Sequence, residues 1–253
     1  MSRLRLARLR RVALLLRLPL PLLRLILLRT VLQIVGIGAM FTSLRFLPLA
    51  DAIAIAYVMP FVLLLLGRLV LGEEVGPRRL IACVVGFAGT LLVVQPSFAS
   101  VGAPALLPLL VAVVFALFML VTRRIAKEVD PVAMQALGGL MALPLLALAL
   151  LAGPWSGAPA LRLVPLGASD ALLLAATGVL GTLAHLLMTW ALRFAPSATL
   201  APMQYLEIPV ATLFGLLIFG DLPNGLAAAG IVITVAAGLY VIWRERLVLP
   251  GPA

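Results

Sequence analysis

The chain has 253 residues, of which 64% are hydrophobic and 11% charged, and its formal net charge is +10. So little polar surface cannot cover a water-soluble core of this size, which excludes a soluble domain and puts the chain in a bilayer. The positive charge would point to nucleic acid in a soluble protein, but here it is distributed by membrane side, so membrane lipid and not nucleic acid is the expected surrounding.

Residues 1-24 form a basic N-terminal segment. Arg3, Arg10, Arg17 and Arg24 recur every seven residues among Leu and Ala, and no acidic residue precedes Asp51. A cationic interfacial helix or targeting presequence is one reading and a basic cytoplasmic linker the other. Pro19 and Pro21 break any continuous helix there. Apolar runs long enough to cross about 30 Å of hydrocarbon follow near 25–46, 50–71, 79–97, 104–122, 131–152, 168–192, 198–219 and 225–243, with a tail at 247-253. They predict an all-α integral membrane bundle of about eight transmembrane helices, whereas barrel strands would be short and alternating.

With the N-terminus taken as cytoplasmic, seventeen Lys and Arg fall on inside segments, Arg24 and Arg29 among them, and only Arg45 and Arg162 fall outside. This bias predicts a multi-pass cell-membrane protein with both termini cytoplasmic. The lone Cys83 can form no internal disulfide, and one cysteine with one histidine excludes Cys/His zinc motifs. No G-x-x-x-x-G-K-[ST] loop is present for ATP-driven pumping, and no constellation of nucleophiles or acids appears in the loops. Neither a cofactor, a metal nor an enzymatic reaction is expected.

The chain repeats itself at an offset of 148 residues. From 44 to 72, eleven of 29 positions match their counterparts, including Arg45/Arg193, Phe46/Phe194, Pro48/Pro196, Tyr57/Tyr205, Gly67/Gly215 and Gly72/Gly220. Spans 25–46, 50–71 and 79–97 correspond to 168–192, 198–219 and 225–243. A span lies five helices from its copy, so the copies enter the membrane from opposite sides, an inverted repeat. The counterparts of 104–122 and 131–152 would precede Met1. The arithmetic therefore predicts a three plus five remnant of a five-plus-five unit, with 25-97 as the first repeat, lacking its first two helices, and 104-246 as the second. A start site placed too late and a real fragment both fit.

The Arg-Phe-x-Pro turn, the span with a central proline and the closing Gly72-Glu73 or Gly220-Asp221, each present twice, resemble the EamA-type drug/metabolite transporter superfamily. The resemblance covers about residues 25–246. It implies a two-repeat exporter or importer of small metabolites, such as amino acids, with a central cavity between the halves. The chain departs from it in lacking the first two helices, and in having Tyr57-Val58-Met59-Pro60 where the second copy has Tyr205-Leu206-Glu207-Ile208-Pro209.

Glu207 is the sharpest single signal, because a carboxylate inside an apolar span costs about 2.5–3.5 kcal/mol unless it is paired, protonated or facing water. It is expected to face the protein interior. Gln204, Glu207, Ala211 and Gly215 follow at helical steps, and Thr177, Gly178, Gly181, Thr182, His185 and Thr189 form a seam on the preceding helix. His185 and Glu207 come out at similar depth. They serve either as a proton-coupling or substrate-amine site or as a structural pair between two helices. Their repeat counterparts are Ile37 and Met59, so such a site is confined to the second half.

Tyr57 and Tyr205 adjoin Pro60 and Pro209, which either free carbonyls for a ligand or simply kink the helix. Trp190 either stacks on cargo or anchors at the interface. Arg45 and Arg193 read as C-terminal helix anchors, and Glu73 and Glu74 as solvated or salt-bridged with Arg78 and Arg79. Gly86, Gly138 and Gly238 belong to small-residue motifs that permit close helix approach. The leading reading is a secondary transporter moving a small polar metabolite, amino acid-like or drug-like, by alternating access, possible coupling to protons included. A truncated paralogue acting as a membrane scaffold and a lipid-carrier flippase are the alternatives.

Overall fold

The computed structural model describes residues 18–47, 49–95, 102–156, 161, 165, 167–220 and 224–248. The first seventeen residues of the basic segment, Pro48, Arg162, Asp221 and the end of the tail lie outside the described residues, as do the expectations attached to them. Among the described residues all regular structure is helical: α1 Leu20–Ser43, α2 Leu49–Ala56, α3 Met59–Leu71, α4 Pro77–Val94, α5 Leu106–Ile125, α6 Pro131–Ser156, α7 Ala168–Phe194, α8 Ser197–Met203, α9 Glu207–Phe219 and α10 Gly225–Val248. Short 3-10 turns occur at Ala103–Ala105 and Gln204–Leu206.

Local chemistry accounts for the boundaries. Helix α1 starts between Pro19 and Pro21, where a missing N–H costs nothing because the first helical N–H groups have no intrahelical acceptor. Helices α3 and α9 both stop at a glycine in the left-handed region, Gly72 at φ 65° and Gly220 at φ 75°. These are repeat counterparts, and a side chain at either would be strained. Among the described residues, seven helical stretches are long and apolar enough to cross a membrane. The remaining expected span, 79–97, corresponds to α4, which has 18 residues and opens on Pro77, Arg78 and Arg79. At 1.5 Å per residue it reaches about 27 Å, at the short end of the lengths that span a bilayer.

The chain divides into two compact units, one of Met1–Ile34 with Val121–Phe194 and one of Val35–Leu120 with Ala195–Ala253. In the first, a core of Ile26, Ile125, Ala126, Val129, Met134 and Leu137 joins the start of α1 to the end of α5 and to α6. Arg123 Nη1 donates to the carbonyls of Leu192 at 2.6 Å and Arg193 at 3.3 Å. The cation at the C-terminus of α7 is thus supplied by Arg123 as well as by Arg193, the residue expected there.

In the second unit α4 packs along α10, its own counterpart at the 148-residue offset. Gly89 and Gly230 let the backbones approach, since a Cβ on Gly89 would stand 3.0 Å from the Gly230 carbonyl oxygen. Both spans that carry the repeat motif are broken, α2 from α3 at Tyr57-Val58 and α8 from α9 at the 3-10 turn Gln204–Leu206. Glu73 clamps α8. Its carboxylate accepts from Ser197 N at 3.1 Å, Ser197 Oγ at 2.6 Å and Ala198 N at 2.9 Å. Glu73, expected to be solvated or salt-bridged, thus holds a helix start, where free N–H groups attract a carboxylate. Arg79 Nη1 donates to the Glu74 backbone carbonyl at 2.6 Å.

Candidate functional site

The two breaks meet. Pro60 offers no N–H to the carbonyl one turn back, and Phe61 N–H bonds to Val58 O at 3.0 Å in place of Tyr57 O. The Tyr57 carbonyl so released accepts from the Tyr205 hydroxyl at 3.1 Å. The two rings, repeat counterparts, stack with centroids 5.8 Å apart and planes at 26°. Phe87 leans on Tyr205 at 6.5 Å and meets Phe61 edge-on at 5.7 Å. Tyr205 is fully buried. Its ring occupies the space left by the missing side chain of Gly86, where a Cβ would stand 2.5 Å from Cδ2. Small residues expected to serve helix approach thus seat individual side chains: Gly86 seats Tyr205, and Gly138 lies against Thr30 and Arg29.

Glu207 opens α9 close to the Tyr57 side chain. Its neighbour therefore comes from the first repeat, although only the second repeat has the carboxylate. Glu207 is exposed rather than enclosed by protein. Gln204 precedes it by three residues through the 3-10 turn, a spacing that aligns side chains on one face. Gln204 Nε2 contacts Met119 Sδ at 3.4 Å.

The first unit holds a group that sequence reasoning assigned elsewhere. Arg29, counted with the inside charges, is 1% exposed within α1. Its Nε donates to Thr122 Oγ1 at 3.0 Å, and Nη2 to Gln135 Oε1 at 3.1 Å and Thr189 Oγ1 at 3.5 Å. A guanidinium remains charged in a bilayer, so its N–H groups need acceptors from the protein. Helices α5, α6 and α7 each supply one acceptor. His185 Nδ1 is 2.8 Å from Gly181 O, which fixes the proton on that nitrogen because a carbonyl only accepts. Thr189 is buried and donates to His185 O at 2.7 Å. Trp190, the next residue, is 40% exposed. The pairing weighed for His185 and Glu207 links residues of different units; within its own unit His185 bonds to the Gly181 carbonyl, and Glu207 lies close to Tyr57.

The sequence matches the model of the EamA-like transporter family over residues 8–95 and 103–244. It is 34% identical over 220 residues to a riboflavin transporter of Rhizobium johnstonii, covering 86% of this chain and 69% of that protein. A riboflavin transporter of Vibrio cholerae is 30% identical over 215 residues, covering 83% of this chain and 69% of its own length. An S-adenosylmethionine uptake transporter of Rickettsia bellii is 23% identical over 219 residues, covering 87% and 72%. One solved crystal structure superposes with a TM-score of 0.73 at 21% identity, covering 92% of this chain and 79% of the other, a likeness of fold.

Proposed function

Because the chain belongs to the EamA-like transporter family, we infer that it carries a planar heteroaromatic metabolite of the riboflavin class across the membrane by alternating access. The observation that carries this reading is the stacked Tyr57–Tyr205 pair at the two helix breaks, with Glu207 close to Tyr57. A flat ring system gains about 0.5–1.5 kcal/mol from an offset aromatic partner beyond its area burial. A carboxylate beside that partner accepts from a ring imide N–H of the kind flavins carry. Tyr57 is half-buried and offers a ring face, while Tyr205, buried and bonded to the Tyr57 carbonyl, positions it.

The exposure of Glu207 supports an aqueous path. A bare carboxylate against hydrocarbon costs about 2.5–3.5 kcal/mol, so the open surface around it is water-lined. The same position suits proton coupling, with Glu207 exchanging a proton as the path opens. A carboxylate also suits a cationic cargo, which is the second reading, favoured by the relatives named for S-adenosylmethionine uptake.

The test is thermal unfolding of the purified chain with riboflavin, S-adenosylmethionine and an amino-acid panel, because a ligand that binds only the folded state raises its stability, by about 2.7 kcal/mol at a hundredfold excess over Kd. Riboflavin should raise the midpoint, and Tyr57→Leu should abolish that rise. A rise with S-adenosylmethionine alone transfers the assignment to the cationic reading, and no rise with any of these ligands overturns both. In proteoliposomes Glu207→Gln should abolish the pH dependence of flux; unchanged pH dependence in that variant refutes the coupling.

A further inference from the structure

The two helix breaks share their scaffold and differ in their polar groups. At the 148-residue offset Tyr57 corresponds to Tyr205, but Gln204 corresponds to Ala56 and Glu207 to Met59. The first copy ends α2 at Ala56 and opens α3 at Met59, so a break forms there without either polar side chain. Gln204 is therefore not required by the turn it occupies. An amide that finds no partner in an apolar setting costs about 1–3 kcal/mol, and the protein does little to offset that cost. The Gln204 carboxamide is half-buried, and among the described residues its one hydrogen bond runs from Nε2 to Met119 Sδ at 3.4 Å. A thioether is a weak acceptor, and Met119 is itself buried, so it sets which way the amide faces more than it satisfies it. The second Nε2–H and Oε1 stay open.

Resting on the reading of the cargo as a flat heteroaromatic ring, we propose that Gln204 determines which ring is taken, by donating from Nε2 to a ring carbonyl while Glu207 accepts from the N–H beside it. The pair selects a cyclic imide edge. The 3-10 turn sets the two side chains three residues apart on one face. Tyr205, between them in sequence, stacks on Tyr57, and Glu207 lies close to Tyr57. A ring laid on the open face of Tyr57 thus turns its edge toward a donor and an acceptor. A carboxylate alone only accepts, so it takes an ammonium as readily as an imide. The added donor changes the choice, since an ammonium offers Gln204 Nε2 no acceptor, whereas an imide N–H has a carbonyl on either side. Sites that hydrogen-bond a polar edge reject analogues lacking it, because their own polar groups are then left unpaired.

The experiment measures equilibrium binding by calorimetry on the purified full chain. The probes are riboflavin, riboflavin methylated at the imide nitrogen, riboflavin with sulfur for oxygen at either imide carbonyl, and adenosine. Wild type, Gln204→Leu and Gln204→Ala are compared; alanine is the residue of the first copy, and both variants should melt near wild type without ligand. Each should bind riboflavin about tenfold more weakly than wild type. Wild type should lose a similar factor when one of the two carbonyls carries sulfur, the poorer acceptor, and the variants should lose little more, the coupling that a direct contact requires. Methylation at the imide nitrogen should weaken binding to all three proteins, since Glu207 then has no N–H to accept from. No binding of riboflavin to wild type overturns the cargo reading and this inference together. Riboflavin held equally by wild type and both variants overturns this inference alone, as does a sulfur effect undiminished in the variants. The wild-type comparison needs no variant: equal affinity for riboflavin and both sulfur analogues overturns the donation by itself. Gln204-dependent binding of adenosine in place of riboflavin overturns the imide as the edge that is read.

Discussion

Replacing Gly86 by alanine puts a methyl group where the Tyr205 ring lies, 2.5 Å from Cδ2 and 3.0 Å from Cγ. The ring has little room to yield, since it is fully buried, stacked on Tyr57 and tied to the Tyr57 carbonyl. Overpacking a filled site costs about 1–3 kcal/mol, and a hydrogen bond lost when the ring moves costs about 0.5–1.5 kcal/mol. Alanine in a helix interior returns about 0.8–1.0 kcal/mol relative to glycine. The net destabilisation is about 0.5–3.5 kcal/mol. Gly139→Ala is the internal control, because nothing lies within 4 Å of a Cβ there and only the propensity gain remains. Thermal unfolding of the two purified variants reads the difference, each kcal/mol moving the midpoint by about 2–4 °C in a domain of this size. Gly86→Ala should unfold earlier than wild type and Gly139→Ala no earlier. Combining Gly86→Ala with Tyr205→Val should recover part of the loss, since the clash and the ring vanish together. A Gly86→Ala protein as stable as Gly139→Ala would refute the seating of Tyr205 on which the site geometry depends.

Glu73→Ala leaves the start of α8 without the acceptor of three hydrogen bonds and should cost about 1–3 kcal/mol in unfolding, more than Ser197→Ala, which removes one of them. Thr122→Val deprives the Arg29 Nε of its acceptor at 3.0 Å and should destabilise by about 1.5–3 kcal/mol, whereas Thr122→Ser should stay near wild type in the same melt. For the duplication, cysteines introduced singly at Arg45 and Arg193 should react with an impermeant maleimide from opposite sides of the membrane, and labelling from one side would refute the inversion.

The membrane class followed from composition alone, because hydrocarbon accepts only long apolar runs and such runs are visible without any knowledge of packing. The duplication was equally legible, and it marked the positions where the chain departs from plain helix: Pro60 and Pro209 beside the two breaks, and Gly72 and Gly220 at the stops. Local rules govern these features, since a proline or a left-handed residue acts on its own turn. Glu207 also stood out locally, as a charge out of place in an apolar span. Partners were another matter. Nothing near Glu73 in the chain announces Ser197, 124 residues away, and neighbouring arginines made a salt bridge the natural expectation. Arg29 looked like a flanking charge because it lies close to a basic segment; only the meeting of Thr122, Gln135 and Thr189 from three other helices shows it to be enclosed. Gly86 was one small residue among many until the Tyr205 ring was found against it. Sequence determines which groups a bilayer will not tolerate alone, and tertiary structure decides which distant group satisfies each of them, because hydrogen-bond acceptors and ring-sized spaces are made by helices far apart in the chain.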